Sequence, residues 1–255
     1  MKLWNSLKIA FAMYSKIPVC KADWEKEKMP YVLCCFPLVG AVIGLLVYAW
    51  YLLAGRFAIG DLMRAAGAVM IPVFVTGGIH LDGFLDTMDA WHSYQPKEEK
   101  LRILSDPHTG AFAVIGTVGL FICNLGIWSD LSQESVACLL PGFVLSRALS
   151  GFSVAVFPCA KNTGLASMFQ SVAHRKTVAV VCVMEAVAVT GVLVFLSPLR
   201  CICMVLAAFG TLLFYRQLAG KQFGGITGDL AGWFLQTCEC VMAFAVWLGD
   251  TVWFS

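Results

Sequence analysis

The chain has 255 residues, 59% of them apolar and 13% charged, with a formal net charge of +2 and a mean hydropathy of +0.79. That balance excludes an ordinary soluble domain, and no nucleic-acid partner is expected. It implies an all-α polytopic membrane helix bundle with the lipid bilayer as its surroundings, because a helix of about 20 apolar residues crosses the hydrocarbon core.

Residues 1–30 read as a leader. Trp4, Leu7, Phe11 and Tyr14 recur at helical spacing, which predicts an amphipathic helix lying in the membrane interface. Lys8 and Lys16 break its apolar positions, so a cleavable signal peptide is not expected. Seven spans are predicted, at about 31–54, 62–78, 110–128, 135–157, 177–197, 199–219 and 231–249. Only Ser197-Pro198 and Arg200 separate the fifth from the sixth, so six spans is the alternative count. No repeat or soluble appendage stands out, and 1–255 reads as a single integral membrane domain. Gly40-x-x-x-Gly44 is a small-residue pair suited to helix contacts, within the chain or in a homo-oligomer.

The 11 cysteines cannot all pair with one another, being odd in number. Cys34-Cys35, Cys201-x-Cys203 and Cys238-x-Cys240 sit at helical offsets that point apart, so reduced, buried thiols are expected.

Basic residues lie overwhelmingly on one side of the predicted spans. That side holds Lys2, Lys8, Lys16, Lys21, Lys26, Lys28, Lys97, Lys100, Arg102, Lys161, Arg175, Lys176, Arg216 and Lys221; the other holds Arg56, Arg64 and Arg200. The excess predicts a cytoplasmic N-terminus and a C-terminus outside, with Trp247, Trp253 and Phe254 as an interfacial aromatic belt. The polar stretches HLDGFLDTMD, SDPHTG, KNTG and FGGITGD then share the cytoplasmic face.

Asp82, Asp86 and Asp89 are spaced to stack on one helix face. Three like charges repel unless a cation sits among them, and oxygen donors without thiolates suit Mg²⁺ or Mn²⁺; a solvated acidic helix end is the bland alternative. His80, beside these carboxylates, is expected to favour its protonated form and to serve as an acid or a phosphate contact; a satisfied interfacial histidine is the alternative. In FGGITGD, Gly224, Gly225 and Thr227 read as a loop whose backbone N–H groups approach phosphate, with Asp229 as a further metal ligand. A plain turn before a helix would look similar. Arg147, Glu185 and Glu239 are ionisable residues within spans. Arg147 and Glu239 are expected to reach the site, whereas Glu185 reads as an interhelical hydrogen-bonding group.

On the residues alone, two classes survive: a Mg²⁺-dependent phosphoryl-group transferase and an ion-coupled transporter. A transporter is expected to carry its acids near the bilayer midplane, so their placement at one face favours the enzyme.

The succession GGIHLDGFLDTMDAW, LSDPHTGAF, Ser146-Arg147, KNTGLASMF and FGGITGDLAGWFLQTCE resembles the cobalamin synthase family of adenosylcobinamide-GDP ribazoletransferases along nearly the whole chain. Where many members resemble KDS-R-x-G, this chain has Ser105 to Gly110; Asp106 is kept, and His108 stands where an arginine is usual. The resemblance implies that α-ribazole, or its 5′-phosphate, is joined to adenosylcobinamide-GDP with release of GMP, in a prokaryotic cytoplasmic membrane. It implies Mg²⁺ on Asp82, Asp86, Asp89 and Asp229, proton acceptance by one carboxylate or His80, and charge balance on GMP by Arg147. Asp106, His108, Gly224, Gly225, Thr227 and Glu239 complete the expected substrate contacts. The aspartate cluster is also similar to that of CDP-alcohol phosphotransferases, but Leu85-Asp86 stands where their Ala-Arg pair is usual.

Overall fold

A computed structural model describes residues 2–25 and 29–253. Lys26, Lys28 and Phe254, counted above for orientation and the aromatic belt, lie outside the described residues. In chain order the helices are α1 (Lys2–Tyr14), α2 (Val32–Arg56), α3 (Asp61–Thr76), α4 (Ile79–His92), α5 (Lys97–Ile103), α6 (Ala111–Asp130), α7 (Gln133–Leu139), α8 (Gly142–Val156), α9 (Leu165–Val172), α10 (Arg175–Leu196), α11 (Pro198–Leu218) and α12 (Gly228–Trp253). A π-helical turn, Ala219–Phe223, extends α11. Among the described residues there is no strand, only an isolated bridge between Cys159 and Ile226.

Six segments are long and apolar enough to cross a membrane: α2, α6, α7 with α8, α10, α11 with its π turn, and α12. A seventh counts if α3 and α4 form one span, but they meet at 96°. At about 1.5 Å per residue α3 is about 24 Å long, just short of the hydrocarbon core. Gly77 and Gly78 make the break, with φ of +64° and +80°, a region that side chains disfavour. We therefore read α3 as the span and α4 as a helix turned across the end of the bundle. The stretch HLDGFLDTMD, whose aspartate spacing suits one helix face, lies on α4.

Helix α8 occupies the centre, buried along most of its length between α2, α10 and α12. Its approach to α2 depends on glycine. A Cβ at Gly40 would lie 2.2 Å from the Phe143 carbonyl oxygen, and one at Gly44 would lie 2.9 Å from that of Leu140. The Gly40-x-x-x-Gly44 pair thus mediates contact within the chain. The outer helices turn large apolar side chains such as Ile115, Ile122, Val187, Phe195 and Leu206 outward, as lipid-facing surfaces do.

The N-terminal stripe divides. Trp4 is exposed, while Tyr14 packs inward against Phe36, with ring centroids 4.2 Å apart. The face of α1 that is buried carries Asn5, Ser6, Ile9 and Ala10. All 11 cysteines are free thiols. Glu185, expected to bond between helices, instead has a buried Oε2 with no hydrogen-bond partner.

Candidate active site

The site is built where α4 crosses α12. A Cβ at Gly83 would stand 2.7 Å from the Asp229 carbonyl oxygen, and one at Gly232 would stand 2.9 Å from that of His80. Two facing glycines therefore let the backbones touch and carry Asp82 and Asp86 up to Asp229. The end of α1 steadies the α3–α4 break, since the Lys16 backbone N–H donates to the Val75 carbonyl at 2.7 Å.

Burial, followed by the charges of Asp82, Asp229 and Asp89, pushes the Asp86 carboxyl up to about 7. Asp86 and Asp229 are half-buried and Asp82 is exposed; the Lys161 charge offsets part of the burden on Asp229, and the oxygen donor set fits Mg²⁺ or Mn²⁺. Among the described residues no three His, Cys, Asp or Glu side chains converge tightly enough to form a ligand group on their own. The donor chemistry suits an ion that takes one or two carboxylates and completes its shell with water and substrate phosphate.

Asp89 departs from the expected metal set. One of its oxygens accepts the Gly110 N–H at 2.6 Å and the other the Ala113 N–H at 2.9 Å. It caps α6 from a distance, satisfying donors that a helix start leaves open, and pins the SDPHTG loop. In that loop Asp106 accepts the backbone N–H of His108 at 2.9 Å and meets its ring Nδ1 at 2.7 Å. The His108 N–H, then its ring, holds the Asp106 carboxyl below its ordinary value. Both side chains are exposed.

His80 corrects the expectation of a protonated group. It is 5% exposed, and burial followed by the Arg147 charge lowers its imidazole to about 3. On α4 it shares the inward face with Gly83, Phe84 and Thr87, away from the acidic stripe. Its Nε2 is buried without a hydrogen-bond partner.

Arg147 and Glu239 also depart from expectation. They form a buried ion pair at 2.7 Å, with Arg147 only 1% exposed and donating a further bond to the Phe143 carbonyl at 2.9 Å. Glu239 lies ten residues beyond Asp229 on α12, about 15 Å along the helix axis. The pair belongs to the packing of α8 on α12, away from the aspartates.

The glycine loop serves the fold more than a ligand. The Gly225 N–H donates to the Ala219 carbonyl at 3.0 Å and the Ile226 N–H to that of Pro158 at 2.8 Å, so these donors are not free for phosphate. Gly224 closes the π turn at φ +81°, its N–H also directed to Ala219. A Cβ at Gly225 would stand 2.6 Å from the backbone of residues 158–160, which explains the glycine there. Thr227 caps α12 by accepting the Leu230 N–H at 3.2 Å, and its hydroxyl donates to Asp229 Oδ2 at 3.4 Å.

Two cavities meet at Gly228 and Asp229. One, of about 190 Å³, is the more polar of the two, lined by Ser105, Lys161, Thr163, Thr227 and Asp229 together with the apolar Leu165 and Ile226. Lys161 Nζ is held there by the Leu101 carbonyl at 2.6 Å and the Ser105 hydroxyl at 3.0 Å. The other, of about 310 Å³, is mainly apolar, with Tyr14, Phe36, His80 and Phe169 on its walls and Asp82 and Asp229 at its edge. Sequence reasoning singled out none of Lys161, Tyr14, Phe36 and Phe169 as site residues. Lys161 had a signal, its place in KNTG; the aromatics come from α1, α2 and α9 and carried none.

Residues 6–247 match the family described as CobS, cobalamin-5-phosphate synthase. The chain is similar to a protein of Lachnoclostridium phytofermentans named adenosylcobinamide-GDP ribazoletransferase, 43% identical over 99% of this chain and 97% of that one. Proteins of the same name from Clostridium botulinum strain Alaska E43 and Geobacillus thermodenitrificans are each 30% identical, over 96% and 97% of this chain and 98% and 97% of theirs. No solved structure matches the chain. With the match spanning the α4 and α12 motifs alike, the chain belongs to the cobalamin-5-phosphate synthase family.

Proposed function

We propose that this protein is an adenosylcobinamide-GDP ribazoletransferase, joining α-ribazole or its 5′-phosphate to adenosylcobinamide-GDP with release of GMP. The observation that carries the reading is the pair of cavities meeting at Asp229, one polar with a lysine and one aromatic. A diphosphate donor and an aromatic nucleoside acceptor need that pair of environments side by side. The names of the relatives support the same reading.

In this reading the ribose 3′-hydroxyl oxygen attacks the phosphorus on the cobinamide side. A new P–O bond forms, the P–O bond to the GMP phosphate breaks, and its electron pair leaves with GMP. Asp82, at the edge of the acceptor cavity, accepts the hydroxyl proton. Lys161, anchored on the polar side, faces the charge of the diphosphate. Asp86 and Asp229 are the residues that would hold Mg²⁺, or Mn²⁺ in its place; when bound, the ion supplies neutralisation of diphosphate charge. Catalysis then rests mainly on positioning and charge.

The same proposal places the site at the cytoplasmic face of a prokaryotic cytoplasmic membrane, supported by the basic residues at that end of the bundle. Cys20, exposed beyond α1, reports on it: a membrane-impermeant thiol reagent should label it in inverted vesicles and not in intact cells. The reverse pattern would overturn the orientation.

The test of function is to supply membranes containing the protein with adenosylcobinamide-GDP and α-ribazole, with Mg²⁺ or with EDTA. Mg²⁺-dependent GMP release matching the cobalamin formed is the expected result. Folded protein that releases no GMP under any of these conditions overturns the proposal.

A further inference from the structure

We propose that the apolar cavity beside Asp82 is the subsite for the base of the acceptor nucleoside, and that His80 Nε2–H donates to the base's free ring nitrogen. The inference rests on the transferase reading and adds to it which substrate enters which cavity, and by what contact.

Four observations converge. The cavity measures about 310 Å³, room for a bicyclic arene and far too little for a corrin macrocycle. Its wall is an aromatic box: the Tyr14 ring centroid lies 4.2 Å from Phe36, 6.0 Å from His80 and 6.3 Å from Phe169, and Phe36 lies 5.6 Å from His80. Flat apolar rings stack favourably on such walls. His80 is 5% exposed and borders this cavity, and its Nε2 has no partner in the protein. A buried polar atom without a partner at a cavity wall calls for one from a ligand.

The polarity of the cavity distinguishes among planar occupants. A guanine presents several donors and acceptors along its edge; Ser150, Asp82 and Asp229 could meet some of them, but the rest would be buried unpaired against Phe36, Phe169 and Leu235. A dimethylbenzimidazole carries apolar carbons on every edge except one ring nitrogen, which matches a wall with one unpartnered imidazole nitrogen. With the base in this cavity, the ribose points toward Asp82 and Asp229, where the polar cavity begins. The guanosine end of the donor is then excluded from the aromatic box. An acyl chain would fill the box but leave Nε2 unpaired.

The experiment compares α-ribazole with its indole analogue, in which carbon replaces the free ring nitrogen, using the full-length protein in membranes. Wild type should use the indole nucleoside with a KM raised on the order of tenfold, the loss of one hydrogen bond to a buried donor. His80→Phe should raise the KM for α-ribazole by a similar factor, leave the KM for adenosylcobinamide-GDP unchanged and no longer distinguish the two nucleosides. His80→Gln, which retains an N–H donor, should recover part of the discrimination. Equal use of both nucleosides by wild type overturns the inference without any variant, so a misfolded His80→Phe does not shield it. A His80→Phe enzyme whose KM rises for adenosylcobinamide-GDP instead also overturns it. Failure of wild type to form cobalamin from α-ribazole is a separate result, and it sinks the transferase reading itself.

Discussion

Gly83 on α4 faces the Asp229 backbone on α12 so closely that a single methyl group would stand 2.7 Å from the Asp229 carbonyl oxygen and 2.9 Å from its Cα. Backbone cannot give way as a flexible side chain can. Gly83→Ala should therefore push α4 off α12, at a cost of about 1 to 3 kcal/mol of overpacking, and separate Asp86 from Asp229. GMP release should fall at least about tenfold while the protein still inserts in membranes, because a shift of an ångström at a reacting centre costs that much. A fully active Gly83→Ala enzyme would show that the crossing does not position the carboxylates.

The raised Asp86 carboxyl sets a sign for pH. With its folded value at about 7 and its ordinary value near 4, the folded protein holds the proton more tightly than the unfolded one. The stabilisation is complete below the ordinary value and is lost as pH rises through about 7. Metal-free protein should thus lose thermal stability between about pH 4 and 7 and little more above that, by about 1 to 2 kcal/mol after solvent screening. Asp86→Asn should flatten that loss, abolish the stabilisation that Mg²⁺ confers at pH 8, and abolish turnover. Asp82→Asn should abolish turnover yet keep most of the Mg²⁺ response. Melting curves against pH, with and without Mg²⁺, check both; an unchanged Mg²⁺ response in Asp86→Asn would falsify its assignment as a ligand.

Asp89 is tied to the backbone of Gly110 and Ala113, so its loss should act through the loop. Asp89→Ala should cost about 1 to 2 kcal/mol and expose 105–110 to limited proteolysis, with activity reduced and Mg²⁺-induced stabilisation retained. Asp89→Asn, keeping one acceptor oxygen, should fall between. Loss of the Mg²⁺ response in Asp89→Ala would instead return this residue to the metal set.

Between α8 and α12, Glu239→Gln leaves the Arg147 guanidinium buried at 1% exposure without its counter-charge. A destabilisation of about 3 to 5 kcal/mol is expected, because breaking one half of a buried pair is worse than lacking the pair. Arg147→Met combined with Glu239→Leu should recover much of it. The fraction of monodisperse protein extracted in mild detergent is the readout. Well-folded, inactive single variants would point back to a role for the pair in binding substrate.

Much of this protein is legible along one dimension. Hydropathy is a local property of a segment, so the spans starting near 31, 110, 177 and 199 are found as helices within a few residues of their expected positions. The spacing of Asp82, Asp86 and Asp89 on one face follows from helix geometry alone. The same geometry turns His80, two residues from Asp82, to the opposite side, a signal present in the sequence that the expectation of a protonated histidine overlooked.

What lies across the gap between helices is another matter. Periodicity states which side of a helix a residue occupies, not which neighbour it meets. Only packing decided that Asp89 caps α6, that Arg147 finds Glu239, and that Tyr14, Phe36 and Phe169 enclose His80. The 96° break at Gly77-Gly78 and the glycine crossing of α4 on α12 set those encounters. Hydrophobic patterning specifies that segments are helices in lipid; the close approach of two particular backbones depends on small residues facing each other, which exists only once the bundle is assembled.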